Sequence, residues 1–320
     1  MAVLTPLCID QATALTRAHS LGDALAVEGI AAGSVNSNFF IDAEARRVFG
    51  RIYEEQGVEG VAYEWALLDH LHAAGLLVPE RIAGPRPGEM TVEGKPTALF
   101  ELMPGEELCQ ATVTPVRARA VGQALGHAHL AGAGFAWERA SRFGHDAVER
   151  RLGLIGAQKR PELADLLPRL VAQYKSVVTD WPSVLPSGVI HGDLFRDNVR
   201  WEGNEIVGLL DWESASHGQW AFDVAVTILA WCHGDEFDWD LAGALIGGYT
   251  ALRPFEPAEW SAFRTLIIGA AIRFTVTRIT DFHLRPEGQG VKKDYRRFVE
   301  RLAVFESTTD SELRGRLDVS

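Results

Sequence analysis

The stretch from Val189 to Glu213, VIHGDLFRDNVRWEGNEIVGLLDWE, constrains this chain more than any other, because it sets oxygen-bearing side chains between short apolar runs. Val189-Ile190 leads into His191-Gly192-Asp193, and Asn198 follows Asp193 in the spacing D-x-x-x-x-N. Val199, Trp201, Ile206 and the run Val207 to Leu210 flank Glu202-Gly203-Asn204-Glu205, the pattern of two short strands joined by a polar Gly/Asn turn. Asp211 ends the second strand. Any fold for this chain must therefore present a loop, a hairpin and an acid in that order.

Transfer of a phosphoryl group from ATP to an alcohol needs one carboxylate to orient the hydroxyl and take its proton, and hard oxygen ligands to hold Mg²⁺ on the phosphates. Asp193 is the candidate base; Asn198 and Asp211 are the candidate Mg²⁺ ligands. Each of the three, taken singly, also reads as a turn residue, since Asp and Asn side chains bond nearby backbone. Their shared order, spacing and strand context point to the chemistry.

HGDLFRDN and LLDWE resemble the superfamily of aminoglycoside phosphotransferases and choline kinases, which have a protein-kinase-like fold. Within it, the type II homoserine kinases are the nearest resemblance, carried by HGDLFRDN, GSVNSNFFI and RFTVTRITDFHLR, from about Val27 to about Leu302. The resemblance implies an α+β, two-lobe fold with a small antiparallel-sheet lobe and a larger, mostly helical lobe. We place the nucleotide-binding lobe at residues 1–103 and the catalytic and substrate-binding lobe at 104–320. ATP and Mg²⁺ are the implied cofactors.

Length agrees with two lobes, since 320 residues exceed what a single core comfortably encloses. Hydrophobic residues at 47% leave ample apolar surface to bury. A net charge of −12 lacks the basic footprint of a nucleic-acid binder, so a small-molecule hydroxyl acceptor is the expected partner. Cys8, Cys109 and Cys232 are odd in number and far apart, and read as buried free thiols rather than a disulfide or zinc framework. No apolar run reaches membrane-spanning length and no secretory leader is recognisable, so the expectation is a cytoplasmic protein without membrane association. Nothing in the sequence indicates the oligomeric state.

Taken in order, Asp10 to Leu21 has helical spacing with Asp10 as its candidate N-cap. Val27 to Ile41 reads as strand, turn, strand. Gly33-Ser34-Val35-Asn36 is either a plain hairpin turn or a lid whose backbone N–H groups lie over phosphates. The resemblance assigns the second role and carries it onto Ser34, Asn36 and Asn38. Arg51, in the strand Arg47 to Glu54, stands where the superfamily often has a phosphate-binding lysine; a solvated strand-end arginine is the alternative. Glu64, in the helix Glu59 to Ala74, matches the glutamate that pairs with that cation, giving an expected Arg51–Glu64 bridge. The hairpin Met90 to Leu102 runs into Met103-Pro104-Gly105, where Glu101 and Met103 are the candidate adenine contacts through backbone; a plain linker is the alternative.

The second half reads as helices at Thr114 to Ala131, His145 to Leu154, Pro161 to Asp180, Ala221 to His233, Leu241 to Tyr249 and Pro257 to Asp281. His127 and His129 lack partners at metal spacing and read as structural. Asp223 falls where the superfamily places an acid that props the catalytic loop, and also reads as a helix cap. Among Arg273, Arg278, Asp281 and His283, Arg278 and Asp281 carry the right chemistry for an amino-acid carboxylate and ammonium, though they also suit a salt bridge between helix turns.

The expected function is an ATP-dependent kinase of a small alcohol, with the side-chain hydroxyl of L-homoserine the first choice. A kinase for an aminoglycoside, choline, a sugar or a hydroxylysine-like alcohol is the same-class alternative. A non-catalytic nucleotide-binding module, suggested by Arg51 in place of lysine, is the different-class one; Asp211-Trp212-Glu213 in place of DFG argues against a protein kinase.

Overall fold

Alternating apolar residues make the first sheet of the computed structural model, which describes residues 3–31, 35–285 and 293–317. Helix α1 (Ile9–Ala18) precedes strands β1 (Ala24–Ile30), β2 (Ser37–Ala43) and β3 (Arg47–Ile52), helix α2 (Val58–Ala73), and strands β4 (Thr91–Val92) and β5 (Lys95–Phe100). The strands pair antiparallel in the order β1-β2-β3-β5-β4, with Phe40 opposite Phe49 and Phe49 opposite Phe100. Leu15, Leu21, Phe39, Ile41, Val48, Ile52 and Leu99 form the core on one face of this sheet. Helix α1 begins one residue before Asp10. Its N-cap is Cys8, whose N–H donates to Gln11 Oε1 at 3.0 Å, and Asp10 sits in the first turn, where a carboxylate still suits the helix dipole.

The remaining elements make a larger, mostly helical unit, so the architecture is α+β. It contains α3 (Pro115–Gly132), α4 (His145–Ala157), α5 (Leu166–Thr179), β6 (Ser187–Ile190), β7 (Val199–Glu202), β8 (Glu205–Leu209), β9 (Ser216–Gln219), α6 (Trp220–Trp231), α7 (Trp239–Thr250), α8 (Pro257–Arg278), α9 (Arg296–Glu306) and α10 (Asp310–Leu317). β7 and β8 form the expected hairpin, with Gly203 at a positive φ of 61° in the turn. β9 was not expected, because Ser216-His217-Gly218-Gln219 has no apolar alternation; it forms as the antiparallel partner of β6. Gly208–Glu213 packs with the small unit, with Leu209 N–H donating to Leu77 O at 2.8 Å. The expected helix from Pro161 is a short 3₁₀ turn (Pro161–Leu163) followed by α5, and α8 stops at Arg278, beyond which Ile279–His283 forms a π turn.

All three cysteines are free, but only Cys232 is buried; Cys8 at its N-cap and Cys109 before the turn Gln110–Thr112 are exposed, contrary to the expectation for both. No helix among the described residues is long and apolar enough to cross a membrane.

Helices α3 and α7 meet backbone to backbone, which their glycines allow. A Cβ on Gly122 would lie 2.0 Å from Leu245 O, and one on Gly248 would lie 2.1 Å from Arg119 O. Backbone cannot yield as a side-chain tip can, so Gly248→Ala should cost about 1–3 kcal/mol by overpacking and lower the melting temperature by roughly 2–5 °C. Gly153, in α4, meets nothing within 4 Å. Gly153→Ala should instead be neutral or stabilising by up to about 1 kcal/mol. Thermal unfolding of both variants checks the pair, and a Gly248→Ala melting point equal to that of the unsubstituted protein would remove the close-packing explanation.

Candidate active site

Helix α6 is apolar on all sides, with only Asp223 as a charged residue, and it is buried along most of its length. That burial obliges Asp223 to find partners. Its Oδ2 accepts from His191 N–H at 2.6 Å and its Oδ1 from Gly192 N–H at 2.7 Å, while His129 Nε2 lies 3.0 Å from Oδ2. Gly192 has a φ of +74°, a conformation that glycine adopts without strain, and so turns the chain out of β6 into the loop. Farther along α6, Ala230 O accepts from Arg196 Nη1 at 2.6 Å and Trp231 Nε1 donates to Leu194 O at 2.9 Å. One helix thus holds the loop around Asp193 at both ends.

Burial pushes the Asp223 pKa upward most strongly, yet the His129 hydrogen bond, the nearby imidazoles and Gly192 N–H more than offset it and leave the carboxylate below its usual range. Burial lowers His129 against the pull of Asp223, so its ring is neutral. Nε2–H then donates to Asp223, and Nδ1 accepts from Tyr249 O–H at 2.8 Å.

Within the loop, Asp193 O accepts from Phe195 N–H at 2.7 Å and from Asn198 Nδ2 at 2.8 Å. With its nitrogen fixed in this way, the Asn198 amide turns its oxygen to the opposite side. Asp193 is partly exposed and Asn198 is buried. Asp211, at the exit of β8, has a φ of +62°, a region that L residues other than Asn and Asp rarely occupy.

The small unit gathers a charged set around Arg51. Its Nη1 lies 3.4 Å from both Glu64 Oε1 and Asp211 Oδ1, so the bridge expected to Glu64 is present and a second acid joins it. Asn38 Oδ1 accepts from Arg51 Nε at 3.2 Å. Burial opposes the charge on Arg51, but Asp211 and Glu64 outweigh it and raise the pKa further. Asn36 donates from Nδ2 to Glu213 and accepts from Glu54 N–H at 3.2 Å, so both ends of its amide serve the protein itself. Asn36 and Asn38 are both buried and hydrogen-bonded within the small unit; Ser34 lies outside the described residues. Glu101 N–H donates to Glu80 O at 2.9 Å and its carboxylate pairs with Arg46; Met103 lies in the segment after β5.

Arg278 and Asp281 do not pair with each other. Arg278 donates to Asp294 O at 2.9 Å, rests on the Phe298 ring at 4.4 Å, and lines a cavity of about 350 Å³ with Asp197 and Glu107. Asp281 pairs with Arg151 and faces a different cavity of about 540 Å³ with Arg142 and Arg150. The break at Arg278, where the α-helix gives way to the π turn, turns the two side chains apart.

Sequence reading passed over His129 as a partner, together with Arg196, Trp231 and Tyr249. Their contacts join residues 34 to 120 positions apart, and no local spacing announces such pairs.

Residues 26–255 match the model of the phosphotransferase enzyme family. A homoserine kinase of Phenylobacterium zucineum is 35% identical, with 98% of each chain covered, and one of Methylocella silvestris is 33% identical over 98% of this chain and 99% of that one. Among solved structures, an amicoumacin kinase in complex with AMP-PNP, Ca²⁺ and Ami has a TM-score of 0.67 at 14% identity, covering 91% of this chain and 88% of that one. An aminoglycoside phosphotransferase from Alicyclobacillus acidocaldarius has a TM-score of 0.64 at 17% identity, covering 98% and 96%. Likeness at these identities speaks for the fold, and the relatives matched from end to end speak for the group: the chain belongs to the phosphotransferase enzyme family, among the homoserine kinases.

Proposed function

We propose that the protein transfers the γ-phosphoryl group of ATP to the side-chain hydroxyl of L-homoserine. The observation that carries this reading is similarity over 98% of the chain to homoserine kinases, in a sequence that keeps Asp193, Asn198 and Asp211 in order. Asp193 is the base that orients the acceptor hydroxyl and receives its proton. Asn198 and Asp211 offer one amide oxygen and one partly exposed carboxylate. That donor set suits Mg²⁺, which takes one or two carboxylates from a protein and fills its remaining positions with phosphate oxygens and water. When bound, the metal neutralises charge on the phosphates.

Arg51, held by Glu64 and Asn38, is the proposed phosphate cation. The main chain at Glu101 and Met103 is the proposed adenine edge; since Glu101 N–H is already bonded to Glu80, the carbonyl of Glu101 and the N–H of Met103 are the groups on offer. At the acceptor, Asp281 is the proposed ammonium partner, while Arg278 faces the other cavity. A cytoplasmic setting, where ATP is abundant, belongs to this reading, and the charge of −12 argues against a nucleic-acid substrate.

A panel of L-homoserine, choline, an aminoglycoside, methylthioribose and hydroxylysine should return the highest kcat/KM for L-homoserine. An inert L-homoserine beside a well-used choline or aminoglycoside would overturn the choice of acceptor and leave the phosphotransferase reading standing. Asp193→Asn should leave Mg·ATP affinity nearly intact and reduce kcat by about 10²- to 10⁴-fold, the range for loss of a general base. Turnover within a few-fold of the unsubstituted enzyme would remove Asp193 from that role. Asp211→Ala should weaken ATP binding only when Mg²⁺ is present, as measured by calorimetry with and without the metal. An unchanged Mg·ATP affinity would make Asp211 a turn residue and a partner of Arg51.

A further inference from the structure

Helix α8 reaches the loop around Asp193 through two consecutive residues. Arg273 donates from Nη1 to Gly192 O at 2.6 Å, and the Phe274 ring meets the Phe195 ring edge to face at 5.1 Å, so the contacts fall on either side of Asp193 and Leu194. The Arg273 side chain is 5% exposed and packs its guanidinium against two aromatic rings, 4.3 Å from the centroid of Phe143 and 4.2 Å from that of Phe274. It forms no ion pair among the described residues, and its Nε is buried there without a hydrogen-bond partner. Burial lowers its pKa to about 10, with Asp193 first among the charges that oppose the shift, so the group is a cation at neutral pH.

A buried cation without an acid costs free energy that an apolar side chain would not incur. Methionine would cover the same two rings without desolvating a charge, so packing does not call for arginine at this position. What the guanidinium alone supplies is a charged donor to the Gly192 carbonyl. The value of that donor follows from the peptide planes of the loop. Asp223 holds His191 N–H and Gly192 N–H, and these belong to the planes that precede Gly192 Cα. The plane that follows carries Gly192 O and Asp193 N–H, and it is joined to the others through the φ and ψ of a glycine, with φ at +74°. Glycine leaves those torsions freer than any other residue would. Asp193 N–H approaches His191 Nδ1 at 3.3 Å, a long contact beside the 2.6 Å charge-assisted bond from Arg273.

We propose that Arg273 is a positioning residue for the transfer step: by gripping the Gly192 carbonyl it fixes the peptide plane that carries Asp193, and so aims the carboxylate at the acceptor hydroxyl. This assignment rests on the reading of Asp193 as the base. It separates the tasks of two helices, since α6 sets the turn before Gly192 and α8 sets the direction after it.

The test is a double-substitution cycle in the full-length enzyme, made of Arg273→Met, Asp193→Asn and their combination, with Arg273→Lys beside it. It reads kcat and KM for the alcohol that the panel selects, and Mg·ATP affinity by calorimetry. Arg273→Met should lower kcat about 10- to 100-fold, as expected when a reacting group is displaced by about 1 Å, and leave Mg·ATP affinity unchanged. Arg273→Lys should recover part of the loss, because an ammonium also donates to the carbonyl. In the Asp193→Asn enzyme, which has no base to aim, Arg273→Met should change kcat by less than about 3-fold; a residue that serves only the fold would lower both backgrounds alike. Three outcomes overturn the assignment: a kcat in Arg273→Met within a few-fold of the unsubstituted enzyme, an equal loss in both backgrounds, or a loss confined to the KM of the alcohol. The last would mean that the guanidinium holds the acceptor instead. Where Arg273→Met does not fold, Arg273→Gln, which keeps an amide donor without the charge, is carried through the same cycle. An Asp193→Asn enzyme that keeps its turnover overturns the reading of Asp193 as base and this assignment together, and is recognised before Arg273 is altered.

Discussion

The carboxylate of Asp223 is the interaction on which the loop around Asp193 depends. An ionised carboxylate without partners in an apolar helix would cost several kcal/mol, so it has to be satisfied from outside the helix. The groups that satisfy it are the backbone N–H of His191 and Gly192 and the imidazole of His129. Each of these bonds restrains the strand-to-loop turn that carries Asp193. The network continues through Tyr249 to Arg253, whose Nη2 lies 2.9 Å from both oxygens of the fully buried Glu259. A chain of buried, mutually satisfied polar groups therefore runs from α8 to the loop. Such networks fix geometry because each member would be costly to leave unpaired.

The glycine contact between α3 and α7 belongs to the same construction. It brings α3 close enough to α7 for His129 on one helix to meet Tyr249 on the other, where their rings stand edge to face at 5.5 Å. Packing and hydrogen bonding thus depend on each other here. A bulkier residue at Gly122 or Gly248 would displace the histidine that orients Asp223.

The small unit solves a different electrostatic problem. Arg51 is nearly buried, and its charge is balanced by Glu64 on α2 and by Asp211 at the end of β8, with Asn38 fixing the plane of the guanidinium. An arginine can reach three partners at once through separate N–H groups, which the single point charge of a lysine cannot do in a fixed plane. The departure from lysine at this position is therefore matched by its surroundings.

The sequence by itself determined most of the elements and the family. Alternation and turn residues marked the strands of the small sheet and the hairpin around Gly203, and the spacing of Asp193, Asn198 and Asp211 made these three the candidates for the chemistry, because these are local signals of a few residues. The resemblance carried by HGDLFRDN and LLDWE led to the family that the relatives share. Tertiary structure alone decided the rest. The strand β9 exists only because β6 needs a partner. Asn36 donates to Glu213, far along the chain, in a bond that no local spacing announces. Arg278 and Asp281, one turn apart in sequence, face different cavities because the helix changes pitch between them. Arg142, Arg151 and Arg273 come together around Phe143 although they are spread over residues 142 to 273. Local spacing can specify a turn or a strand, but the pairing of a buried charge is settled by whichever distant element the folded chain brings within hydrogen-bonding reach.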